Sequence, residues 1–121
     1  MSRILVVDDE APLLKLMETY LTRQGHDVVC RATGREGLEA IEQSSAPFDV
    51  AVLDHWLPDM GGMELLSGVL DRCPGLRILV SSGSLMDVES LGLPPAARVA
   101  FLQKPYLPGM LTRAVADLLQ R

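Results

Sequence analysis

Short apolar runs rich in β-branched residues alternate with amphipathic stretches along the whole chain, and this alternation constrains the fold most. Between the first two runs, Leu14, Met17 and Leu21 recur at the spacing of one helix face. Because strands separated by helices join in parallel through crossovers, helices must cover both faces of the resulting sheet. The sequence therefore predicts a doubly wound α/β domain with a five-stranded parallel sheet. The predicted strands span residues 4–7, 27–31, 48–53, 77–80 and 99–102.

Proline and glycine mark where the predicted helices begin and end. Pro12 suits the first turn of the first helix, and Gly25 lies just past its end. Between the fourth and fifth strands, residues 91–95 read LGLPP, a sequence that interrupts a helix. We therefore expect a shortened helix in this connection, of a turn or two near residues 85–91.

Composition narrows the class of protein. With 121 residues, of which 48% are hydrophobic, the chain suits one globular domain spanning residues 1–121. Eleven Lys and Arg against sixteen Asp and Glu leave a formal net charge of -5. This charge disfavours direct contact with nucleic acid, because phosphates repel an acidic surface. Two cysteines are too few for a disulfide scaffold.

The sequence also argues against a membrane protein or an exported one. No apolar run approaches the roughly 20 residues that span a bilayer. The N-terminal segment becomes acidic at Asp8, where a signal peptide would still be apolar. We therefore expect a cytoplasmic protein with no membrane contact.

Polar side chains follow several predicted strands, at the carboxyl ends where open parallel sheets bind ligands. Asp8 and Asp9 follow the first strand, Asp54 the third, a serine pair ending in Ser82 the fourth, and Lys104 the fifth. Three carboxylates brought close together repel one another unless a cation neutralises them. Mg²⁺ is the natural cation, because it takes carboxylate, water and phosphate oxygens. The sequence therefore predicts a magnesium site at this edge of the sheet.

The same groups suit phosphoryl chemistry. A carboxylate can attack phosphorus while Mg²⁺ and a lysine stabilise the phosphoryl oxygens. Asp54 is the best-placed nucleophile, because it stands alone at the end of a central strand. Lys104 supplies a compact positive charge for one oxygen, and Ser82 supplies a hydroxyl for another.

Four segments carry a resemblance to a known family. They are ILVVDDE near the N-terminus, VLDHWLPDMGG in the middle, LVSSG after it and FLQKP near the C-terminus. In this order and spacing, the chain resembles the CheY-like response-regulator receiver domain of two-component signalling over essentially its whole length. The resemblance implies a flavodoxin-like fold with strand order 2-1-3-4-5. It leaves open whether the chain is a separate protein or a module of a hybrid sensor kinase.

The resemblance implies a role for each residue of the phosphoryl site. Asp54 matches the phosphoacceptor, which would carry the phosphoryl group as 4-aspartylphosphate. Asp9 and Asp54 match the direct Mg²⁺ carboxylates, with Asp8 acting mainly through water. The backbone carbonyl of Trp56 matches the third protein ligand to the metal, and Lys104 matches the lysine that contacts the phosphoryl group.

The resemblance also implies switch and structural residues. Ser82 matches the switch Ser/Thr, preferred to the serine before it because a small residue follows, and Phe101 matches the aromatic that changes rotamer on phosphorylation. The peptide bond before Pro105 is typically cis in the family. Pro58 and Gly62 fit the loop after the acceptor, where glycine would supply the backbone freedom of a tight turn.

These matches imply a phosphorylation-dependent switch and not an enzyme that turns over a separate substrate. Its partners would be a histidine kinase or phosphotransfer protein and a downstream protein, and the chain would be a monomer or weak dimer. The shortened helix after the fourth strand puts the usual dimer face in doubt. The bulky Trp56 beside the acceptor is expected to shield the phosphoryl group from water and to slow self-dephosphorylation.

Two other classes of protein share parts of this pattern. A phosphatase of the haloacid dehalogenase type would use Asp54 as its nucleophile, but it needs a second acid two residues later, where Trp56 stands. A flavin or redox carrier would need a phosphate-binding loop after the first strand, where Asp8 and Asp9 repel phosphate. Turnover on phosphate esters would favour the hydrolase over the switch.

Overall fold

The described residues of this computed structural model form alternating strands and helices. They are residues 2–83, 92–93 and 97–120, so the predicted short helix at 85–91 lies outside them. None of the described helices is long and apolar enough to cross a bilayer. In chain order the elements are β1 (Arg3–Val7), α1 (Ala11–Arg23), β2 (Asp27–Arg31), α2 (Gly34–Gln43), β3 (Val50–Asp54), α3 (Gly62–Arg72), β4 (Arg77–Ser82), β5 (Arg98–Gln103) and α4 (Pro108–Leu119).

The five strands form one parallel sheet in the order β2-β1-β3-β4-β5. This confirms the doubly wound fold and the strand order that the resemblance implies. The order reverses beside β1, which pairs with both β2 and β3. The carboxyl ends of β1 and β3 therefore lie side by side at the reversal, where this class of sheet binds ligands.

The third strand differs from its predicted limits. It begins at Val50 and ends at Asp54, whereas the apolar run predicted residues 48–53. The residues before it are held by side chains: the Asp49 carboxylate accepts a hydrogen bond from the Arg3 backbone at 2.8 Å, and the Arg3 guanidinium lies over the Phe48 ring. At the other end, Asp54 pairs in register with Ser81. The candidate nucleophile is therefore part of the sheet and not of a loop.

Helices cover both faces of the sheet, and alternate residues of each strand supply the two cores. On β3, Ala51 and Leu53 face the core formed with α2 and α3, while Val50 and Val52 face the core formed with α1 and α4. Burying a large apolar side chain contributes on the order of 1.5–3 kcal/mol. Packing in the two cores thus fixes the strands, and with them the polar residues at the strand ends.

The beginning of α2 is capped from within its own segment. Thr33 is the N-cap residue, and its hydroxyl accepts a hydrogen bond from the backbone N–H of Glu36 at 3.1 Å. The same hydroxyl donates to the Glu36 carboxylate at 2.9 Å. Such side-chain caps satisfy backbone amides that the helix itself cannot pair.

Candidate functional site

Three carboxylates meet at the carboxyl ends of β1 and β3. One oxygen each of Asp8, Asp9 and Asp54 lies within 4.8 Å of the others. Asp8 is 1% exposed and Asp54 6%, whereas Asp9 is exposed. The structure therefore brings together all three carboxylates that the sequence singled out, two of them largely removed from water.

An ammonium group stands among these carboxylates. Lys104 Nζ donates a hydrogen bond to Asp8 Oδ2 at 3.0 Å and lies 3.5 Å from Asp54 Oδ2. The Lys104 backbone N–H donates to the Ser82 carbonyl at 2.7 Å, and the Lys104–Pro105 peptide bond is cis. The end of β5 thus holds the lysine at the acidic cluster through both its backbone and its side chain.

Asp8 is fixed on its other side by the start of the next segment. Its Oδ1 accepts a hydrogen bond from the Glu10 backbone N–H at 2.9 Å, which leaves Oδ2 for Lys104. Both oxygens of this buried carboxylate are therefore partnered, as a buried charge requires. Asp9, in contrast, is exposed and lines the cleft beside the cluster, where its carboxylate is accessible to a cation.

Burial and crowding of like charges perturb the acceptor. Burial, reinforced by the Asp8 charge, raises the pKa of Asp54 to about 6, against the opposing effects of Lys104 and the Trp56 N–H. For Lys104, burial lowers the pKa, but the hydrogen bond and charge of Asp8 outweigh it, so the net pKa is raised. A carboxylate cluster this crowded, with a lysine as its counter-ion, suits a hard divalent cation.

A cleft of about 710 Å³ opens above the cluster. Asp9, Asp54 and Lys104 supply its polar floor, and Trp56 and Tyr106 are among its apolar walls. The Trp56 backbone N–H donates to Asp54 Oδ1 at 3.3 Å, while its indole is 67% exposed. The cleft therefore gives a phosphoryl-sized group access to Asp54, with the indole standing at its rim.

The predicted switch residues lie on β4 and β5. Ser82 is completely buried at the end of β4, and Gly83 after it lines the cleft. Phe101 is half-buried on β5, pairs in register with Val80 and packs against the α2–α3 core. Ser82 and Phe101 are thus on neighbouring strands, with Ser82 next to the backbone of Lys104.

The loop after the acceptor needs its glycine for a different reason from the one predicted. The φ angle of Gly62 is not positive, so backbone freedom is not what the position requires. A Cβ at Gly62 would collide with the His55 carbonyl oxygen, so the requirement is space. Pro58 is exposed in the same loop, as its surface position between β3 and α3 allows.

Three residues near the site were not singled out from the sequence. Glu10 lines the cleft with its carboxylate 3.9 Å from Lys104 Nζ, and Tyr106 lines it two residues after that lysine. Their proximity in sequence to Asp9 and Lys104 is the signal that points to them. Asp59 bonds to the backbone of α2, more than twenty residues away, and no local pattern reveals it.

Comparison with known proteins decides the family. Residues 4–116 match the family model described as the response regulator receiver domain. The chain belongs to this family. Among curated relatives, the receiver is 30% identical over 120 residues to the transcriptional regulatory protein GlrR of Escherichia coli, spanning 99% of this chain and 27% of that protein. It is 26% identical to the chemotaxis protein CheY of Thermotoga maritima, spanning 93% of each.

Solved structures of receiver domains superpose well on this chain. A CheY-like receiver domain protein of Methanospirillum hungatei superposes with a TM-score of 0.86 at 32% identity, covering 99% of this chain and 94% of the other. A response regulator receiver protein of Sinorhizobium medicae gives 0.84 at 30% identity, covering 98% and 94%. The chain spans about a quarter of the length of GlrR and 12% of the sensor kinase CckA of Brucella abortus.

Proposed function

We propose that this receiver domain accepts a phosphoryl group on Asp54 and acts as a phosphorylation-dependent signalling switch. The observation that carries the proposal is the position of Asp54: a buried strand-end carboxylate with two acidic neighbours, 3.5 Å from Lys104 Nζ and open to a cleft. A carboxylate in this setting has the nucleophile, the metal ligands and the positive charge that phosphoryl transfer needs.

Mg²⁺ is the proposed cofactor. Asp9 and Asp54 would bind it directly, Asp8 through water, and the Trp56 backbone carbonyl would complete the protein ligands. When bound, the ion neutralises the charge that builds up on the phosphoryl oxygens. The three convergent carboxylates support this assignment, because burial and the repulsion between Asp8 and Asp54 raise the pKa of Asp54 when no cation is bound.

The chemical step uses the residues of this chain in distinct roles. An Asp54 oxygen forms a bond to phosphorus as the bond from phosphorus to the imidazole nitrogen of a phosphohistidine breaks, and the departing imidazole takes a proton from water. Lys104 holds a phosphoryl oxygen through its ammonium group. Asp54 must be ionised to attack, and a bound Mg²⁺ would favour this state by opposing the burial and the Asp8 charge that raise its pKa.

The proposed switch then passes from the site to the surface. The Ser82 hydroxyl would turn toward a phosphoryl oxygen, and Phe101 would move into the space vacated beside it. Ser82 and Phe101 lie on adjacent strands, and the Ser82 carbonyl accepts a hydrogen bond from the Lys104 backbone; both observations support this coupling. Phosphorylation would in this way bias a packed element between two arrangements and change a protein-binding surface.

The proposed partners follow from the family. The phosphoryl donor would be a histidine kinase or phosphotransfer protein in the cytoplasm, and the output a downstream protein. The domain would catalyse only its own phosphorylation. Regulators of transcription, a chemotaxis protein and a sensor kinase all occur among the relatives.

The proposal is tested by incubating the protein with acetyl phosphate and Mg²⁺. We expect the reaction to stop at one phosphoryl group per chain, stable in acid and labile in base, and to be abolished by a metal chelator. A control incubation uses phosphate monoesters. Sustained release of phosphate from those esters would instead support the hydrolase and contradict the switch.

A further inference from the structure

The loop between β3 and α3, residues 55–61, is held by contacts that the proposed phosphoryl chemistry does not use. An isolated antiparallel bridge between Trp56 and Gly61 closes the base of the loop. Leu57 and Met60 pack against the α2–α3 core. The loop is therefore a short closed unit, with Trp56 at its base beside Asp54.

Asp59 fastens this loop to α2. Its Oδ1 accepts a hydrogen bond from the Gly34 backbone N–H and its Oδ2 one from the Arg35 backbone N–H, each at 2.9 Å. These amides open the helix and have no partner within it. The Arg35 and Gly34 amides hold the pKa of Asp59 below its usual value. The carboxylate is therefore ionised at neutral pH, the state that a helix N-terminus favours.

Met60 makes a second contact at the same turn of α2. A Cβ placed on Gly34 would lie 2.6 Å from both Cγ and Sδ of Met60, so the methionine side chain passes directly over the glycine. Two consecutive loop residues thus engage one helix end. Thr33 caps that helix end too, but through Glu36 of its own segment, so the cap and the loop attachment can be separated by mutation.

We propose that Asp59 is a positioning residue for metal binding: by bonding to the first amides of α2 it holds the loop of residues 55–61, and with it the Trp56 backbone beside Asp54, in the arrangement that receives Mg²⁺. The inference rests on the proposed function, because it concerns the metal of that site. A loop that is already ordered loses less conformational entropy when it binds. Asp59 thereby strengthens Mg²⁺ binding without contacting the ion.

The experiment uses the intrinsic fluorescence of Trp56, the chain's one tryptophan, to follow Mg²⁺ titration. Asp59→Ala should weaken Mg²⁺ binding about tenfold, in the range found when groups that orient metal ligands are removed. Asp59→Asn keeps an acceptor oxygen and should retain most of the affinity. Thr33→Ala is the matched control: it removes a cap from the same helix, so it should lower the melting temperature but leave Mg²⁺ affinity unchanged.

Backbone amide exchange supplies a second readout. The amides of residues 55–61 should exchange faster in Asp59→Ala and at the wild-type rate in Thr33→Ala. The inference is overturned if Asp59→Ala binds Mg²⁺ as tightly as wild type, or if Thr33→Ala weakens binding equally. Should Asp59→Ala fail to fold, unchanged loop exchange in Asp59→Asn together with full loss of affinity would overturn it. A wild-type protein that does not bind Mg²⁺ contradicts the proposed function itself.

Discussion

Lys104 Nζ donates a 3.0 Å hydrogen bond to Asp8 Oδ2, so the lysine of the site occupies a carboxylate oxygen of the cluster proposed to bind Mg²⁺. The same ammonium group lies 3.5 Å from Asp54 Oδ2. Without a phosphoryl group, Lys104 and the proposed Mg²⁺ would therefore compete for the same negative charge. An attached phosphoryl group would supply additional oxygens and so give each cation a partner of its own.

This competition predicts that Lys104→Met binds Mg²⁺ more tightly than wild type, by severalfold, while its phosphorylation by acetyl phosphate becomes slower. The tighter binding follows from removing a positive charge close to the metal ligands. Mg²⁺ titration and phosphorylation rates check the two effects. Lys15→Met, which removes an exposed lysine on α1, is the control and should leave both unchanged. Weaker Mg²⁺ binding in Lys104→Met would argue against the competition.

The raised pKa of Asp54 predicts how stability depends on pH in the metal-free protein. Because the folded pKa is about 6, above the ordinary value of 3.8, the folded state holds a proton that the unfolded state has lost between these pH values. Stability therefore falls as pH rises through this window, by about 2 to 3 kcal/mol at about 1.4 kcal/mol per pKa unit. The Asp54→Asn variant has no carboxyl group at this position, so its stability should not fall in this way.

Urea unfolding in a metal chelator measures the effect. At pH 7.5 the Asp54→Asn variant should be more stable than wild type by about 2 to 3 kcal/mol, and the difference should shrink toward zero near pH 4. Added Mg²⁺ should stabilise the wild type and not the variant. A difference that does not change with pH would mean that Asp54 is not titrating in this range.

The position of Trp56 leads us to expect that a phosphoryl group on Asp54 is lost slowly. Trp56 lines the cleft beside Asp54, where its indole would obstruct the approach of water to the proposed acyl phosphate. Trp56→Asn should lose its phosphoryl group severalfold faster than wild type, whereas Trp56→Phe, which keeps a large apolar ring, should stay close to it. Loss of the phosphoryl group after removal of the donor is the measurement. Equal rates of phosphoryl-group loss in wild type and Trp56→Asn would contradict shielding by Trp56.

Substitutions of the two adjacent glycines at the start of α3 should have opposite effects on stability. Gly61 is the N-cap without a side-chain cap and has open space around it, so Gly61→Ser should stabilise the protein by about 0.5 kcal/mol. A Cβ at Gly62 would meet the His55 carbonyl oxygen, so Gly62→Ala should destabilise the protein by about 1 to 3 kcal/mol. Denaturant unfolding compares them. Two effects of the same sign would contradict this interpretation.

The fold was predictable from the sequence because local patterns and topology agree. β-branched runs alternate with helical spacing, and that order permits few arrangements other than a parallel sheet covered on both faces. The Asp8, Asp9 and Asp54 cluster was predictable for the same reason, since parallel strands deliver their carboxyl ends to one edge. Strand limits were less predictable: β3 extends to Asp54 because Ser81 pairs with it across the sheet.

The features that the sequence did not reveal are contacts between segments that lie far apart in the chain. Asp59 accepts hydrogen bonds from the first amides of a helix that begins 25 residues before it, and neither segment alone contains a signal of the contact. The spatial requirement at Gly62 arises from the His55 backbone, although glycine suggested a turn. Such contacts are decided by packing, which local propensity does not encode.

The most direct test of the central claim is the stoichiometry of phosphorylation measured on three proteins. Wild type, Asp54→Asn and the control Asp71→Asn, an exposed acid on α3, are incubated with labelled acetyl phosphate and Mg²⁺. We predict one base-labile phosphoryl group per chain in the wild type and in Asp71→Asn, and none in Asp54→Asn. Equal labelling of Asp54→Asn and wild type would contradict the assignment of Asp54 as the phosphoacceptor.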